Sequence, residues 1–151
     1  MEIRPVRPGE AGELTELAVR SKGHWGHDAE FLERARPELT VSPGDIERLL
    51  VRVAERDGRT VGFSAVDLDS SPPELLALFV EPAAIGSGVG RALLRLACEE
   101  AAAAGVWWLV IESDPDAEAF YVALGAERTG SRRSVSTGRE LPLLRVRCGA
   151  G

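Results

Sequence analysis

A long helix between two short apolar segments is the feature that most limits how this chain can fold. Residues 74–80 and 106–112 are mostly apolar runs of strand length, and the helix predicted between them ends at Gly105. A strand, a helix and a second strand in this order form a crossover whose two strands lie parallel in one sheet. Because residues 74–80 are mostly apolar, we expect a central strand that is buried on both faces.

Antiparallel strands are predicted around this crossover unit. Residues 51–56 and 59–68 alternate in polarity on either side of Asp57-Gly58, a dipeptide typical of two-residue hairpin turns. The remaining predicted strands are residues 2–7, 126–132 and 140–147. Parallel and antiparallel pairs together predict an α/β fold with a mixed sheet.

Apolar residues at helical spacing predict four further helices. Residues 21–28 mix glycines with an aromatic and several titratable residues, so we expect a loop shaped for contact with a ligand. The helix that follows is expected to stop at Pro37, and Ser42 is the expected N-cap of the next one. The four predicted helices are residues 9–21, 28–36, 43–50 and 115–125.

Length and charge restrict the class of protein. The chain has 151 residues, which fits one domain over residues 1–151, and a net charge of -6, which gives no electrostatic reason to bind nucleic acid or an anionic membrane. No apolar run could cross a bilayer, and no basic and then apolar leader begins the sequence, so we expect a cytoplasmic protein. Cys98 and Cys148 are too few for a disulfide framework or a zinc site, so we expect both to be reduced and no metal to be bound.

A glycine-rich segment, residues 86–90, precedes the long helix and has the composition of an anion site. Glycine lets a phosphate approach the main chain, where free N–H groups and the helix dipole attract it. A Walker-type loop is excluded, because Gly90 is followed by Arg91 rather than by lysine. A dinucleotide fingerprint fits poorly, since Arg91 occupies the place of its last glycine, although Glu112 lies where a ribose-binding acid would be. Dinucleotide binding and a turn that serves only packing both remain open.

Three segments, in this order and spacing, resemble the GNAT family of N-acetyltransferases. They are residues 78–82 (Leu-Phe-Val-Glu-Pro), residues 86–94 (Gly-Ser-Gly-Val-Gly-Arg-Ala-Leu-Leu) and residues 117–126 (Ala-Glu-Ala-Phe-Tyr-Val-Ala-Leu-Gly-Ala). The order of predicted elements over the rest of the chain is similar as well. The resemblance implies an acetyl-CoA-dependent N-acetyltransferase with a mixed central sheet, helices on both faces and two central strands that splay apart.

The resemblance also implies where coenzyme A lies. The pantetheine arm would pair with main-chain groups of one splayed strand, and the amides of residues 86–91 would hold the pyrophosphate. The coenzyme-binding residues implied in this way are Leu78, Phe79, Val80, Gly86, Ser87, Gly88, Val89, Gly90, Arg91, Asp116 and Phe120.

Two positions depart from the family pattern. Ile85 stands where arginine or glutamine is usual, which removes one side-chain contact to phosphate and implies somewhat weaker coenzyme binding. Asp116 stands where asparagine is often found, and its charge is unfavourable near phosphate unless it caps the helix instead. These departures leave open a second class of function, a sensor or interaction module that binds acyl-CoA with little or no turnover.

The resemblance assigns Tyr121, the only tyrosine of the chain, as the acid that protonates the departing thiolate of coenzyme A. The alternative is that its ring only packs in the core. The base that deprotonates the acceptor is undecided among Glu112, Glu74 and His24. The implied reaction is direct attack of the amine on the thioester in a ternary complex, without a metal or a covalent enzyme intermediate.

The acceptor is expected to be a primary amine on a small molecule or a peptide. Trp25 would present an aromatic face to a cationic amine, with Asp28 and Glu30 adding negative charge, or it would anchor the turn between two helices. The resemblance also allows a homodimer formed through the last strands.

Overall fold

The computed structural model describes residues 1–149, so the last two residues of the predicted domain lie outside the described part. Seven strands form one mixed sheet in the order β1-β2-β3-β4-β5-β7-β6. The strands are β1 (Glu2–Pro5), β2 (Leu50–Arg56), β3 (Arg59–Asp67), β4 (Glu74–Val80), β5 (Trp108–Glu112), β6 (Glu127–Arg133) and β7 (Glu140–Arg147). The helices are α1 (Ala11–Gly23), α2 (Ala29–Leu39), α3 (Pro43–Arg48), α4 (Val89–Ala103) and α5 (Glu118–Ala123).

The predicted mixed sheet is confirmed. Strands β1 to β4 are successive antiparallel neighbours, and Asp57 and Gly58 join β2 to β3 with φ angles of 54° and 74°, the positive values that a tight hairpin turn requires. Strands β4 and β5 are parallel, as the crossover through α4 predicts. Strand β7 returns between β5 and β6 and is antiparallel to both.

Helices cover both faces of the sheet. On one face, α1 and α2 pack over β2 and β3 around the fully buried side chains of Leu14, Leu17 and Phe63. On the other face, α4 packs through Leu93 and Leu94, and α5 joins the same layer through Tyr121. No helix among residues 1–149 combines the length and apolar character that a bilayer crossing needs.

Several helix boundaries differ from those predicted, and the helix expected over residues 115–125 is a 3-10 turn at Pro115–Ala117 followed by α5. Helix α1 continues to Gly23, so its last turn includes residues that were expected in the following loop. Helix α2 passes through Pro37 and ends at Leu39, because a proline this close to the C-terminal end removes only one hydrogen bond of the last turn. Helix α3 stops at Arg48, because Leu50 already pairs with Val66 in the sheet.

The prediction that β4 is buried on both faces is wrong. Of its seven residues only Leu75 is buried, and the side chain of Leu76 is 45% exposed. The apolar side chains of β4 therefore do not all contact other parts of the chain. They line an open cleft beside β5.

Candidate active site

The two parallel central strands separate shortly after they meet. Strand β4 pairs with β5 at only two positions, Glu74 with Val110 and Leu75 with Ile111. Leu76 has no partner on β3 either, since Leu75 is opposite Val66 whereas Ala77 is opposite Ala65. This extra residue is a β-bulge, which bends a strand and increases its twist. From Leu76 onward, the edge of β4 that faces β5 has no neighbouring strand.

The gap between the diverging strands is an open cleft of about 440 Å³. Its walls come from β4, from the end of β5 and the turn after it, from the beginning of α4, from α5 and from the last turn of α1. Because these elements lie on both faces of the sheet, the cleft passes between the strands rather than lying on one face. A ligand on the α4 side can therefore meet a second ligand that enters from the α1 side.

Main-chain amides at the start of α4 form an anion cradle at one end of the cleft. Gly86 and Gly88 have φ angles of 84° and 92°, values that side chains with a Cβ rarely adopt. The amides of residues 88–91 have no acceptor within residues 1–149, because the first hydrogen bond of the helix runs from the amide of Ala92 to the carbonyl of Gly88. Four free amides at a helix N-terminus attract a phosphate group.

Close packing behind the cradle requires glycine at position 90. A Cβ placed on Gly90 would lie 3.1 Å from the ring of Phe120 and 3.5 Å from the side chain of Val80. Both contacts are with residues that line the cleft. The absence of a side chain at Gly90 therefore lets α4, α5 and β4 meet around the cradle.

Most of the residues expected to bind the coenzyme line this cleft. All of them do so except Ser87 and Val89, and each of these two side chains contacts the protein instead. The Ser87 hydroxyl donates to the carbonyl of Ala84, and the Val89 side chain is fully buried beneath the helix. Ile85, which replaces the usual polar residue, is 38% exposed at the wall of the cleft.

Tyr121 reaches the cleft from α5 and is only 5% exposed. Burial, with a smaller contribution from the charge of Asp114, raises the pKa of its phenol well above the usual value. The hydroxyl therefore keeps its proton at neutral pH. The hydroxyl makes no hydrogen bond with residues 1–149. Because no fully buried side-chain nitrogen or oxygen in this part of the chain lacks a hydrogen-bond partner, the hydroxyl is accessible from the open cleft. The geometry leaves its proton available to a bound ligand.

Two of the three candidate bases lie together near the cleft. Glu112, at the end of β5, lines the cleft, and its carboxylate is paired with the guanidinium of Arg132 on β6. Glu74 lies at the start of β4, outside the lining, and its pKa is raised by burial and by the nearby charge of Glu112. The sequence did not predict the pairing with Arg132, because β6 follows β5 in the chain but lies beyond β7 in the sheet.

His24, the third candidate base, is exposed on the first residue after α1 and does not line the cleft. Its ring packs edge-on against Trp25, with 5.1 Å between the ring centroids. Trp25 does line the cleft and is 48% exposed. Trp25 therefore contributes to the site, whereas His24 does not.

Sequence analysis did not predict a charged cluster at the wall of the cleft. The ammonium of Lys22 pairs with Asp114, and both side chains are mostly buried, at 13% and 17% exposed. Arg139, from the hairpin between β6 and β7, lies 3.8 Å from Asp114 and 3.9 Å from Asp116. Burial alone would raise the pKa of Asp114, but the hydrogen bond and charge of Lys22 outweigh this effect and lower it.

Asp116 belongs to this cluster, which also contains three side chains of the kind that bind metal ions. Asp114, and not Asp116, caps the short turn before α5, because its carboxylate accepts from the Asp116 amide at 2.8 Å. His27 lies 3.4 Å from Asp116, so His27, Asp114 and Asp116 are close enough to share a metal ion. The nearby cations of Lys22 and Arg139 already neutralise these carboxylates, which disfavours a metal there. The one sequence feature that could have pointed to this cluster is Lys22, the only lysine in the chain.

Comparison with known proteins identifies the same region. The sequence model of the acetyltransferase (GNAT) domain matches residues 47–125, slightly more than half of the chain. A relative, the aminoglycoside N(6')-acetyltransferase type 1 of Stenotrophomonas maltophilia, is 35% identical over 139 residues, which cover 84% of this chain and 86% of the relative.

Solved structures have the same fold. A GCN5-related N-acetyltransferase from Rhodopseudomonas palustris superposes with a TM-score of 0.81 at 19% identity, over 97% of this chain and 94% of the other. The PaiA N-acetyltransferase of Thermoplasma acidophilum, solved in complex with coenzyme A, has a TM-score of 0.79 at 20% identity, over 97% and 98% of the two chains.

Proposed function

This chain belongs to the GNAT family and is an acetyl-CoA-dependent N-acetyltransferase, and we propose that it acetylates a primary amine by direct attack within the cleft between β4 and β5. The observation that carries the proposal is the two-residue pairing of these strands, which leaves a passage from one face of the sheet to the other. Acetyl-CoA then binds on the α4 side, and the acceptor approaches from the α1 side.

The coenzyme is held mainly by main-chain groups in this proposal. The amides of residues 88–91 bind the pyrophosphate, and the unpaired edge of β4 at Leu78 and Val80 pairs with the pantetheine amides as an added strand would. Because these contacts use the backbone, Ile85 removes one side-chain contact without removing the site. Arg91, exposed beside the cradle, supplies a positive charge near the phosphates.

Tyr121 and Glu112 are the proposed acid and base. The amine nitrogen loses a proton to Glu112, attacks the thioester carbon, and the carbon–sulfur bond breaks as Tyr121 donates to the departing sulfur. Glu112 is preferred over Glu74 and His24 because it lines the cleft whereas neither of the other two does. The main-chain amide of Val80 is the proposed donor to the carbonyl oxygen as negative charge develops on it.

The acceptor side combines an aromatic surface with negative charge. Trp25 and Leu76 are large exposed side chains at this side of the cleft, and Glu112 supplies a carboxylate. A cationic amine on an amphipathic small molecule or peptide fits these features. The relative from Stenotrophomonas is named for acetylation of an aminoglycoside, a polycationic amine, so aminoglycosides belong in the first acceptor panel. A cytoplasmic location is part of the proposal, since the free thiols of Cys98 and Cys148 fit a reducing compartment.

Two measurements test the proposal. Acetyl-CoA is expected to raise the melting temperature in a concentration-dependent way, whereas NAD is expected to have no effect. A panel of aminoglycosides, polyamines and peptides with free amino termini is then assayed by release of free coenzyme A thiol. A melting temperature unchanged by millimolar acetyl-CoA would contradict the cleft as a coenzyme site, whereas binding without thiol release from any amine would favour an acyl-CoA sensor.

A further inference from the structure

A second groove contains both cysteines of the chain. Cys98 lies on α4 and Cys148 directly follows β7, far apart in the sequence, yet both side chains line this groove. It shares Arg91 with the coenzyme cleft but none of the proposed catalytic residues. An inference about this groove therefore stands apart from the proposed acetyl transfer.

Both cysteines are held on ordered parts of the fold. Cys98 lies in the third turn of the continuous helix α4, and both side chains are partly buried against the same core cluster. The amide of Cys148 donates to the carbonyl of Trp107 at 2.8 Å, which extends the pairing between β7 and the segment before β5. Both cysteines therefore line the groove from ordered backbone rather than from mobile loops.

Each thiol group affects the pKa of the other. The neighbouring Cys148 lowers the pKa of Cys98, whereas the neighbouring Cys98 together with burial raises the pKa of Cys148, whose thiol donates to the carbonyl of Val146 at 3.7 Å. Cys98 is thus the better nucleophile of the pair, and Cys148 remains protonated beside it. In redox-active cysteine pairs, one thiol attacks and the second resolves the mixed disulfide. Cys98 fits the attacking role and Cys148 the resolving role.

The groove carries an excess of positive charge. Arg91, Arg95 and Arg147 are among its lining residues, against the single carboxylate of Glu99. In a protein of net charge -6, this is a local reversal of sign. An anionic reagent is therefore attracted to the two thiols more than to the rest of the surface.

We propose that Cys98 and Cys148 are a modification site that forms a reversible intramolecular disulfide when the protein meets an anionic, low-molecular-weight disulfide. The Cys98 thiolate attacks one sulfur of the reagent, forms a mixed disulfide and releases one reagent thiolate. Cys148 then loses its proton to solvent and attacks the Cys98 sulfur, and the second reagent thiolate leaves. Two electrons pass from the cysteine pair to the reagent, whose one disulfide becomes two thiols.

The new bond would join α4 to the end of β7. Helix α4 packs on β3 and β4, whereas β7 pairs with β5, so the bond links the two halves of the sheet that the cleft separates. It closes a chain segment that contains β5, α5, β6 and β7, which restricts the unfolded chain more than the folded one. The oxidised protein is therefore expected to melt at a higher temperature than the reduced protein, by roughly 5–10 °C.

Glutathione disulfide is the probe for the test. The full chain is incubated with it, alkylated and weighed intact, and the expected product has lost two hydrogen atoms and has no free thiol. After trypsin digestion without reductant, the peptide of residues 96–128 is expected to be linked to residues 148–151. Two stable glutathionyl groups per chain, a disulfide between two chains, or thiols that stay free while added dithiothreitol is oxidised would each overturn the proposal.

Single substitutions give the matched controls. Cys148→Ser is expected to retain one glutathionyl group on Cys98, because the second thiol is absent, and to show no rise in melting temperature on oxidation. Cys98→Ser is expected to react more slowly, since burial still raises the pKa of Cys148 after the neighbouring thiol has been removed. The mass of the oxidised unsubstituted protein decides the question even if a serine variant fails to fold.

Discussion

Leu75 and Ile111 are the last residues at which the two parallel central strands pair. Both side chains are buried in the same core cluster, so the strands are held firmly at this point. One residue further along, the bulge at Leu76 turns β4 away from β5. The width of the substrate passage is therefore set by a junction in the hydrophobic core.

Replacement of Tyr121 by phenylalanine tests the proposed acid. The hydroxyl makes no hydrogen bond with residues 1–149, so its removal leaves the fold intact, but the departing thiolate loses its proton donor. We expect kcat to fall by about 10²-fold, with the dissociation constant of acetyl-CoA nearly unchanged. Val122→Ala is the control, because it shortens an exposed neighbouring side chain outside the cleft without removing a proton donor. A Tyr121→Phe variant with full kcat would assign Tyr121 to packing alone.

Gly90→Ala tests the anion cradle. The added Cβ would meet Phe120 at 3.1 Å and crowd the amides that are proposed to bind phosphate. We expect the dissociation constant of acetyl-CoA to rise about tenfold, equivalent to ~1.4 kcal/mol, as measured by isothermal calorimetry. Gly12→Ala is the matched control, since a Cβ at this exposed helical position meets nothing within 4 Å. Equal affinities in the two variants would argue against phosphate binding at this helix end.

Glu112→Gln and Glu74→Gln distinguish two candidate bases. Glutamine keeps the shape but accepts no proton, so the base variant should lose about 10²-fold in kcat/KM for the amine, and with it the acidic limb of the pH profile. We expect this loss for Glu112, which lines the cleft, and a much smaller effect for Glu74. The opposite order would identify Glu74, whose raised pKa would then serve catalysis.

Lys22→Ala tests the buried ion pair at the wall of the cleft. Without the ammonium, the carboxylate of Asp114 remains largely buried and, among residues 1–149, keeps only Arg139, at 3.8 Å, as a cationic partner, so the free energy of unfolding at pH 7 should fall by about 3 kcal/mol. In the unsubstituted protein the pKa of Asp114 is lowered by folding, so its contribution is present above the unfolded pKa and is lost as the pH falls through the folded pKa.

In the Lys22→Ala variant, burial should raise the pKa of Asp114 instead, so protonation would relieve the buried charge and stability would recover towards acidic pH. Urea unfolding between about pH 4, near the reference pKa of an aspartate, and about pH 7 measures this reversal. Arg36→Ala, which removes the exposed partner of Glu16, is the control and should leave the unfolding midpoint nearly unchanged. A slope of stability against pH equal to that of the unsubstituted protein would show that Lys22 does not set the pKa of Asp114.

The sequence by itself determined those structural elements that depend only on neighbouring residues in the chain. Asp57-Gly58 specifies its hairpin turn, and residues 86–90 followed by an amphipathic helix specify both a crossover and an anion site, because φ preference and free amides depend on neighbouring residues. The family resemblance, and not local preference, led to Tyr121 and to the residues expected to bind the coenzyme, most of which line the cleft.

Only the tertiary structure decided which distant residues meet. It brought Arg132 to Glu112, joined Lys22 to Asp114, placed Cys98 beside Cys148 and left His24 outside the cleft. It also showed that β4 is apolar without being buried, since a bulge at Leu76 opens its edge. These contacts depend on strand order and on register between segments far apart in the chain, and periodicity along one segment carries no information about them.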